Sequence, residues 1–252
     1  MDLGLSDRVY VVTGGTRGLG RATAEALVAE GARVVVASRG AEAVAGAVAG
    51  LGEENAAGLA ADLAAPETPE RLLALAGERF GRCDGALISV GGPPPGTAAA
   101  VTDAQWRSAF ESVFLGAVRA ARTFAGALAE GEGGALGLVL SSSARSPING
   151  LGISNGLRPG LAMVAKDMSD EFGPRGVRVL GLLPGRIATD RTRELDAAAD
   201  PEARRRTKGA IPLGRYGEPA EFGRVAAFLL SPAAGYVTGT TVPVDGGALR
   251  TP

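Results

Sequence analysis

The sequence predicts a doubly wound α/β fold, a parallel sheet covered by helices on both faces. Three observations predict it. Short β-branched or apolar runs alternate along the chain with stretches whose apolar residues recur at helical spacing. Those runs lack the polar–apolar alternation of a half-exposed strand, so they read as strands buried on both sides, as parallel strands are. No internal repeat, low-complexity tract or composition break divides the chain, so residues 1–252 read as one domain.

Residues 8–13 (RVYVVT) form the first buried strand. A glycine-rich turn follows, then RATAEALVAEGA, with apolar positions on one helical face and Gly31 placed as a C-cap. Residues 33–38 (RVVVAS) form the second strand, 41–51 a helix, and 57–61 a third, weaker strand. Residues 67–80 read as helix and 84–90 (DGALISV) as the fourth strand. A long helix is expected over 103–130, with Trp106 packing near its start, then a fifth strand over 135–141. Gly156, Pro159 and Gly160 crowd the next helical stretch. Interior proline costs roughly 3 kcal/mol and is tolerated in the first turn, so regular helix is expected only from about Asn155, ending near 173. A sixth strand over 177–183, a helix over 218–230 and a last strand over 241–244 complete the pattern. The stretch 185–217 shows no clear period. It reads as an irregular insertion at a strand's C-terminal end, where ligands bind in open α/β sheets.

Composition narrows the chemistry. There is no histidine, so a Ser-His-Asp triad, an imidazole proton shuttle and a His-ligated metal site are excluded. One cysteine, Cys83, can make neither an internal disulfide nor a zinc knot, and it reads as inert; no metal site is expected. A formal charge of −1 supplies no electrostatic reason to expect nucleic acid or an anionic membrane. The N-terminus lacks a basic segment followed by an apolar one, and no run of about 18 uncharged apolar residues occurs. A cytoplasmic location is the expectation.

The first turn reads Thr13-Gly14-Gly15-Thr16-Arg17-Gly18-Leu19-Gly20. Gly14 suits a tight turn, Gly18 a close approach of backbone to a pyrophosphate, and Gly20 close packing of the helix on the sheet. The helix N-terminus then offers free N–H groups and partial positive charge to phosphate. Strand, loop and helix occur in the order that a Rossmann-type dinucleotide site needs.

With this TGxxxGxG spacing the chain resembles the short-chain dehydrogenase/reductase family over almost its whole length, in look nearest to 3-oxoacyl carrier-protein reductases. Asp62-Leu63 looks like the family's adenine-contacting pair. Gly91 ends the loop after the fourth strand. Pro184-Gly185, with Ile187 and Thr189, looks like the segment that holds the nicotinamide carboxamide. Gly214-Arg215-Tyr216-Gly217-Glu218-Pro219, Tyr236-Val237-Thr238-Gly239 and Val244-Asp245-Gly246-Gly247 look like its C-terminal signatures. The resemblance implies a small-molecule carbonyl or alcohol substrate and a homotetramer or homodimer. At the end of the second strand an NAD-selective site usually carries an acid for the ribose 2′-hydroxyl. Here stand Ser38-Arg39, with Arg17 nearby, and guanidinium suits a 2′-phosphate, so NADP(H) is the expected cofactor.

The family's chemistry uses Ser, Tyr and Lys, with Ser 13 residues before Tyr and Lys 4 after it, plus an Asn in the long helix. Since 154 − 141 = 13 and 158 − 154 = 4, Ser141 falls on the Ser, Ser154 on the Tyr and Arg158 on the Lys; Val113 falls on the Asn. One of four matches. Tyr10, Tyr216 and Tyr236 are placed elsewhere by the motifs, Tyr216 being the least excluded. A phenol titrates near ~10, a serine hydroxyl far higher. Losing positioned acid–base catalysis costs on the order of 3–6 kcal/mol of barrier. Two readings follow. One is an NADP(H)-dependent oxidoreductase with Ser141 orienting the oxygen, Ser154 relaying the proton and Arg158 holding the ribose. The other is an NADP(H)-binding protein without redox turnover, such as a sensor or scaffold.

Two further features border the expected cleft. The loop Gly91-Gly92-Pro93-Pro94-Pro95-Gly96 is stiff enough to shape a pocket. Arg191, Arg193, Arg204, Arg205, Arg206 and Lys208 could attract an acidic substrate, although interleaved acids favour a solvated helix face.

Overall fold

The computed structural model of the protein describes residues 1–197 and 200–251. Its strands are β1 (Val9–Thr13), β2 (Arg33–Ser38), β3 (Ala56–Ala60), β4 (Gly85–Ile88), β5 (Gly134–Val139), β6 (Val177–Pro184) and β7 (Thr241–Val244). They form one parallel sheet in the order β3-β2-β1-β4-β5-β6-β7. The winding reverses between β1 and β4, which opens a crevice beyond their C-terminal ends. The strand period of two sends alternate residues to opposite layers. Val9 and Val11 join Leu72, Phe124 and Leu161 on one side, from α3 (Thr68–Phe80), α5 (Gly116–Glu130) and α6 (Gly152–Phe172). Tyr10 and Val12 join Leu27 and Phe222 on the other, from α1 (Gly18–Ala29) and α9 (Pro219–Leu230); α2 (Ala41–Leu51) adds Ala47 and Leu51 to this layer. Arg178 of β6 pins the second layer, its guanidinium donating to the carbonyls of Leu229 (2.8 Å), Val237 (3.1 Å) and Ser231 (2.9 Å). No helix among the described residues is long and apolar enough to cross a membrane.

Three expectations are corrected. The helix expected over 103–130 is broken into α4 (Asp103–Ala109), a π-helical turn (Phe110–Leu115) and α5. The Ser112 hydroxyl bonds back to the Ser108 carbonyl at 2.8 Å, a contact that bends helices, and Phe110 and Phe114 stack at 5.3 Å across the widened turn.

Helix α6 begins at Gly152, three residues before the expected start, with Pro159 in its interior. Tertiary ties impose this start. Gly152 N–H donates to the Gly96 carbonyl, and the Asn155 amide clamps both backbone groups of Ile148 at 2.9 Å. The two glycines beside the proline are ring seats. A Cβ on Gly156 would stand 2.7 Å from the Trp106 indole, and one on Gly160 3.0 Å from the Phe114 ring.

The stretch 185–217 is not irregular: it holds α7 (Asp190–Ala197) and α8 (Pro201–Gly209). Both are highly charged, and ion pairs such as Arg193–Asp190 and Arg205–Glu202 stabilise them in place of an apolar stripe, so periodicity does not reveal them. The far end of this stretch is latched to α9. Arg215 forks onto both Glu221 carboxylate oxygens at 2.7 and 2.8 Å, and Glu221 closes a capping box by accepting from Glu218 N–H. The Arg215 hydrogen bonds, then the backbone bond, pull the Glu221 carboxyl from 4.5 to about 2. Because its folded value is depressed, the latch is complete above 4.5 and is lost as pH falls through about 2. NMR titration is expected to find a Glu221 midpoint near 2 that moves up towards 4.5 in Arg215→Gln.

Candidate active site

The crevice begins with the turn after β1. Gly14 and Gly18 adopt φ of 61° and 55°, values that favour glycine. A Cβ on Gly20 would overlap the Gly14 carbonyl and stand 2.8 Å from its carbon, so Gly20 seats α1 on its own loop rather than on the sheet. Arg17 is the N-cap residue of α1 and makes no side-chain cap, which leaves the first N–H groups free for an anion. Thr16 and Leu19 are half-buried beside it. The Gly15 N–H donates to the Ala37 carbonyl, tying this loop to the end of β2. Ser38 is half-buried there and Arg39 exposed; neither Arg17 nor Arg39 makes an ion pair among the described residues. Helix α2 starts two residues after Arg39, also without a side-chain cap. Two unpaired guanidiniums beside two uncapped helix starts fit a dinucleotide carrying a 2′-phosphate.

Asp62 lies exposed past β3 and accepts from Ala64 N–H at 3.0 Å, while Leu63 packs its carbonyl near Gly116. Thr13 clasps Ser89 at the end of β4 through two hydrogen bonds of 2.9 and 3.0 Å, and Gly91 is exposed just beyond. On the opposite wall Pro184 ends β6 and Gly185 packs tightly on Asp245. Ile187 is buried and paired with Gly217, and the Thr189 methyl group stands next to Gly18. The segment after β6 and the turn after β1 therefore meet.

The hydroxyl cluster sits at the end of β5. Ser141 Oγ accepts from Ser143 N–H at 3.1 Å, capping a short 3-10 turn (Ser142–Ala144). Ser154 does not bond Ser141; its Oγ pairs with Ser143 Oγ at 2.9 Å, and both residues are buried. Arg158 lies one turn along α6 from Ser154. It is 4% exposed, donates Nη1 to the Val139 carbonyl at 2.8 Å, and leaves Nε buried without a partner. Burial, then the charge of Arg191, lowers its pKa to about 10. Val113, at the position of the family's Asn, is buried inside the π turn.

No tyrosine reaches this cluster. Tyr10 is buried in the core with its hydroxyl on the Leu230 carbonyl, and burial drives its pKa up. Tyr216 is half-buried past α8, and burial, then Asp196 of α7, raises its pKa, opposite to what an acid catalyst needs. Tyr236 is fully exposed. Cys83 is pushed up to about 11 by burial, which keeps it a thiol.

The basic residues of the insertion divide. Arg193, Arg205 and Arg206 pair with Asp190 or Glu202 on solvated helix faces. Arg191 turns inward instead. Its Nη2 donates to the Pro93 carbonyl at 2.7 Å, and a Cβ on Gly92 would lie 2.5 Å from its guanidinium carbon. Sequence reading grouped Arg191 with its solvated neighbours and passed over Ser143; only the adjacency of Ser143 to Ser141 hinted at its part.

Comparison with known proteins supplies the context. A family model described as Enoyl-(Acyl carrier protein) reductase matches residues 14–248. The levodione reductase of Leifsonia aquatica is 34% identical, over 96% of this chain and 94% of that protein. The crystal structure of L-sorbose reductase from Gluconobacter frateurii, complexed with NADPH and L-sorbose, superposes with a TM-score of 0.90 at 29% identity, over 100% of both chains. A short-chain oxidoreductase from Pseudomonas aeruginosa PAO1, described as containing an atypical catalytic center, gives 0.90 at 29% identity, over 98% of this chain and 99% of that one.

Proposed function

Because the chain belongs to the short-chain dehydrogenase/reductase family, we propose that it is an NADP(H)-dependent oxidoreductase of a small carbonyl or alcohol substrate, with Ser154 and Arg158 in place of the usual Tyr and Lys. The observation that carries this reading is a phosphate-ready cradle and a buried hydroxyl–guanidinium cluster on the same edge of the sheet. NADPH, when bound, supplies the hydride. Arg17, Arg39 and the uncapped starts of α1 and α2 hold its phosphates. Ser141 and Ser154 orient the substrate oxygen. Arg158 offers its remaining N–H donors to the ribose and its charge to the negative charge that develops on that oxygen. Ser154 gives its proton to the substrate oxygen as it accepts one from Ser143 across 2.9 Å, and solvent water returns a proton to Ser143, so neither serine needs to ionise. The protein works as a single domain in a homodimer or homotetramer.

A second reading, a cofactor-binding protein without redox turnover, is favoured by the absence of any phenol near Ser141. Fluorescence titration with NADPH and NADH tests the part that both share. NADPH is expected to bind at least about tenfold tighter than NADH. Arg39→Ala is expected to weaken NADPH binding by roughly 10–100-fold while leaving NADH unchanged, as a charged hydrogen bond contributes about 1.5–3 kcal/mol. Equal affinities in wild type and variant overturn the 2′-phosphate assignment.

A further inference from the structure

We propose that Arg158 and Arg191 clamp a carboxylate carried by the substrate, so that the protein acts on small oxo acids or the corresponding hydroxy acids. The inference rests on the oxidoreductase reading and names its substrate class.

Arg158 is a buried guanidinium with one carbonyl partner and an orphaned Nε. A buried cation is ordinarily paired with an acid. Here the charge acting on Arg158 is a second cation, Arg191, which makes the deficit worse. Arg191 is held by the Pro93 carbonyl in the space that Gly92 leaves, while its neighbour Asp190 pairs with Arg193. Neither guanidinium has a carboxylate partner among the described residues. The geometry thus holds two forks and no counter-ion.

A ribose hydroxyl can satisfy the Arg158 N–H, but it cannot neutralise two charges. A carboxylate does both, because its two oxygens match the guanidinium fork. Arg191 is tied to the 91–96 loop through Pro93 and Arg158 to the end of β5 through Val139; Ser141 follows that strand end, and Arg158 follows Ser154 by one turn of α6. An oxo acid with its carboxylate close to its carbonyl would place the carbonyl oxygen at the serine hydroxyls. Hydride from NADPH and one proton would convert it to the hydroxy acid, releasing NADP⁺. One other anion has access: Thr189 stands by Gly18, so the cofactor pyrophosphate also approaches the start of α7.

Thermal unfolding separates these sources without relying on turnover. Wild-type protein, first shown to bind NADPH by titration, is measured with and without saturating NADPH. Acetate and propionate are added in series against acetamide and propionamide, at constant ionic strength set with chloride. The carboxylates are expected to raise the midpoint of the NADPH-loaded protein by a few degrees, and the amides not to. Arg191→Gln is expected to weaken the carboxylate effect at least about tenfold. Arg191→Lys, which keeps the charge and loses the fork, should fall between. Equal responses to acids and amides overturn the clamp, as does a response unchanged in Arg191→Gln. A carboxylate effect confined to cofactor-free protein assigns the pair to the pyrophosphate and also overturns it. Failure of NADPH itself to bind overturns the oxidoreductase reading instead.

Discussion

The double substitution Ser154→Tyr/Arg158→Lys is expected to raise the rate of NADPH-dependent ketone reduction by about 10²–10⁴-fold over wild type, the contribution of a positioned acid. Ser154 and Arg158 already share one face of α6 beside Ser141, so the new phenol and ammonium would project into the same crevice. A phenol near ~10 is drawn down by an adjacent ammonium, whereas the Ser154 hydroxyl only passes a proton that another group supplies. The measurement is NADPH oxidation across a panel of small ketones and oxo acids, wild type beside variant. A slow wild type and a fast variant identify the proton source as the missing element. A wild type that binds NADPH but never turns over, beside an active variant, moves the natural chain to the non-redox reading. A variant no faster than wild type shows that the serine pair already serves the proton transfer.

The buried Arg158 and the half-buried Arg178 are expected to respond to the same substitution with opposite signs. Arg178→Met removes the donors of three carbonyls at once, those of Leu229, Val237 and Ser231, and should destabilise the fold by about 2–5 kcal/mol. Arg158→Met removes one hydrogen bond, to Val139, together with a guanidinium whose fall to about 10 corresponds to a few kcal/mol (about 2–4) against its charged form. The orphaned Val139 carbonyl offsets part of this relief, leaving a stabilisation of about 1–2 kcal/mol and a midpoint several degrees higher. The depressed Arg158 pKa lies far above neutrality, so the effect is the same at any pH below about 10. Urea and thermal unfolding of cofactor-free protein check both values. A loss for Arg158→Met equal to that for Arg178→Met would show Arg158 to be a structural staple, not a residue held in strain for a ligand.

By itself the sequence determined the strands, their burial and the winding of the sheet. The apolar centre of RVVVAS, Val34 to Ala37, is buried at every residue, and the glycines at 14, 18 and 20 mark a turn that few other residues allow. It also carries Ser154 and Arg158 at the spacing from which the proposed departure is counted along one helix. Other features were decided by contacts between distant segments, which no local pattern encodes. Helix α6 starts at Gly152 because the 96–98 loop and Ile148 hold its first turn, at a cost in helix propensity that Pro159 makes visible. Helices α7 and α8 are hidden from periodicity because ion pairs rather than an apolar stripe stabilise them. Arg191 and its neighbour Arg193 look alike in sequence. Arg193 meets an acid on its own helix, whereas Arg191 meets Pro93, 98 residues away, where its charge acts on Arg158 and neither guanidinium has an ion-pair partner among the described residues.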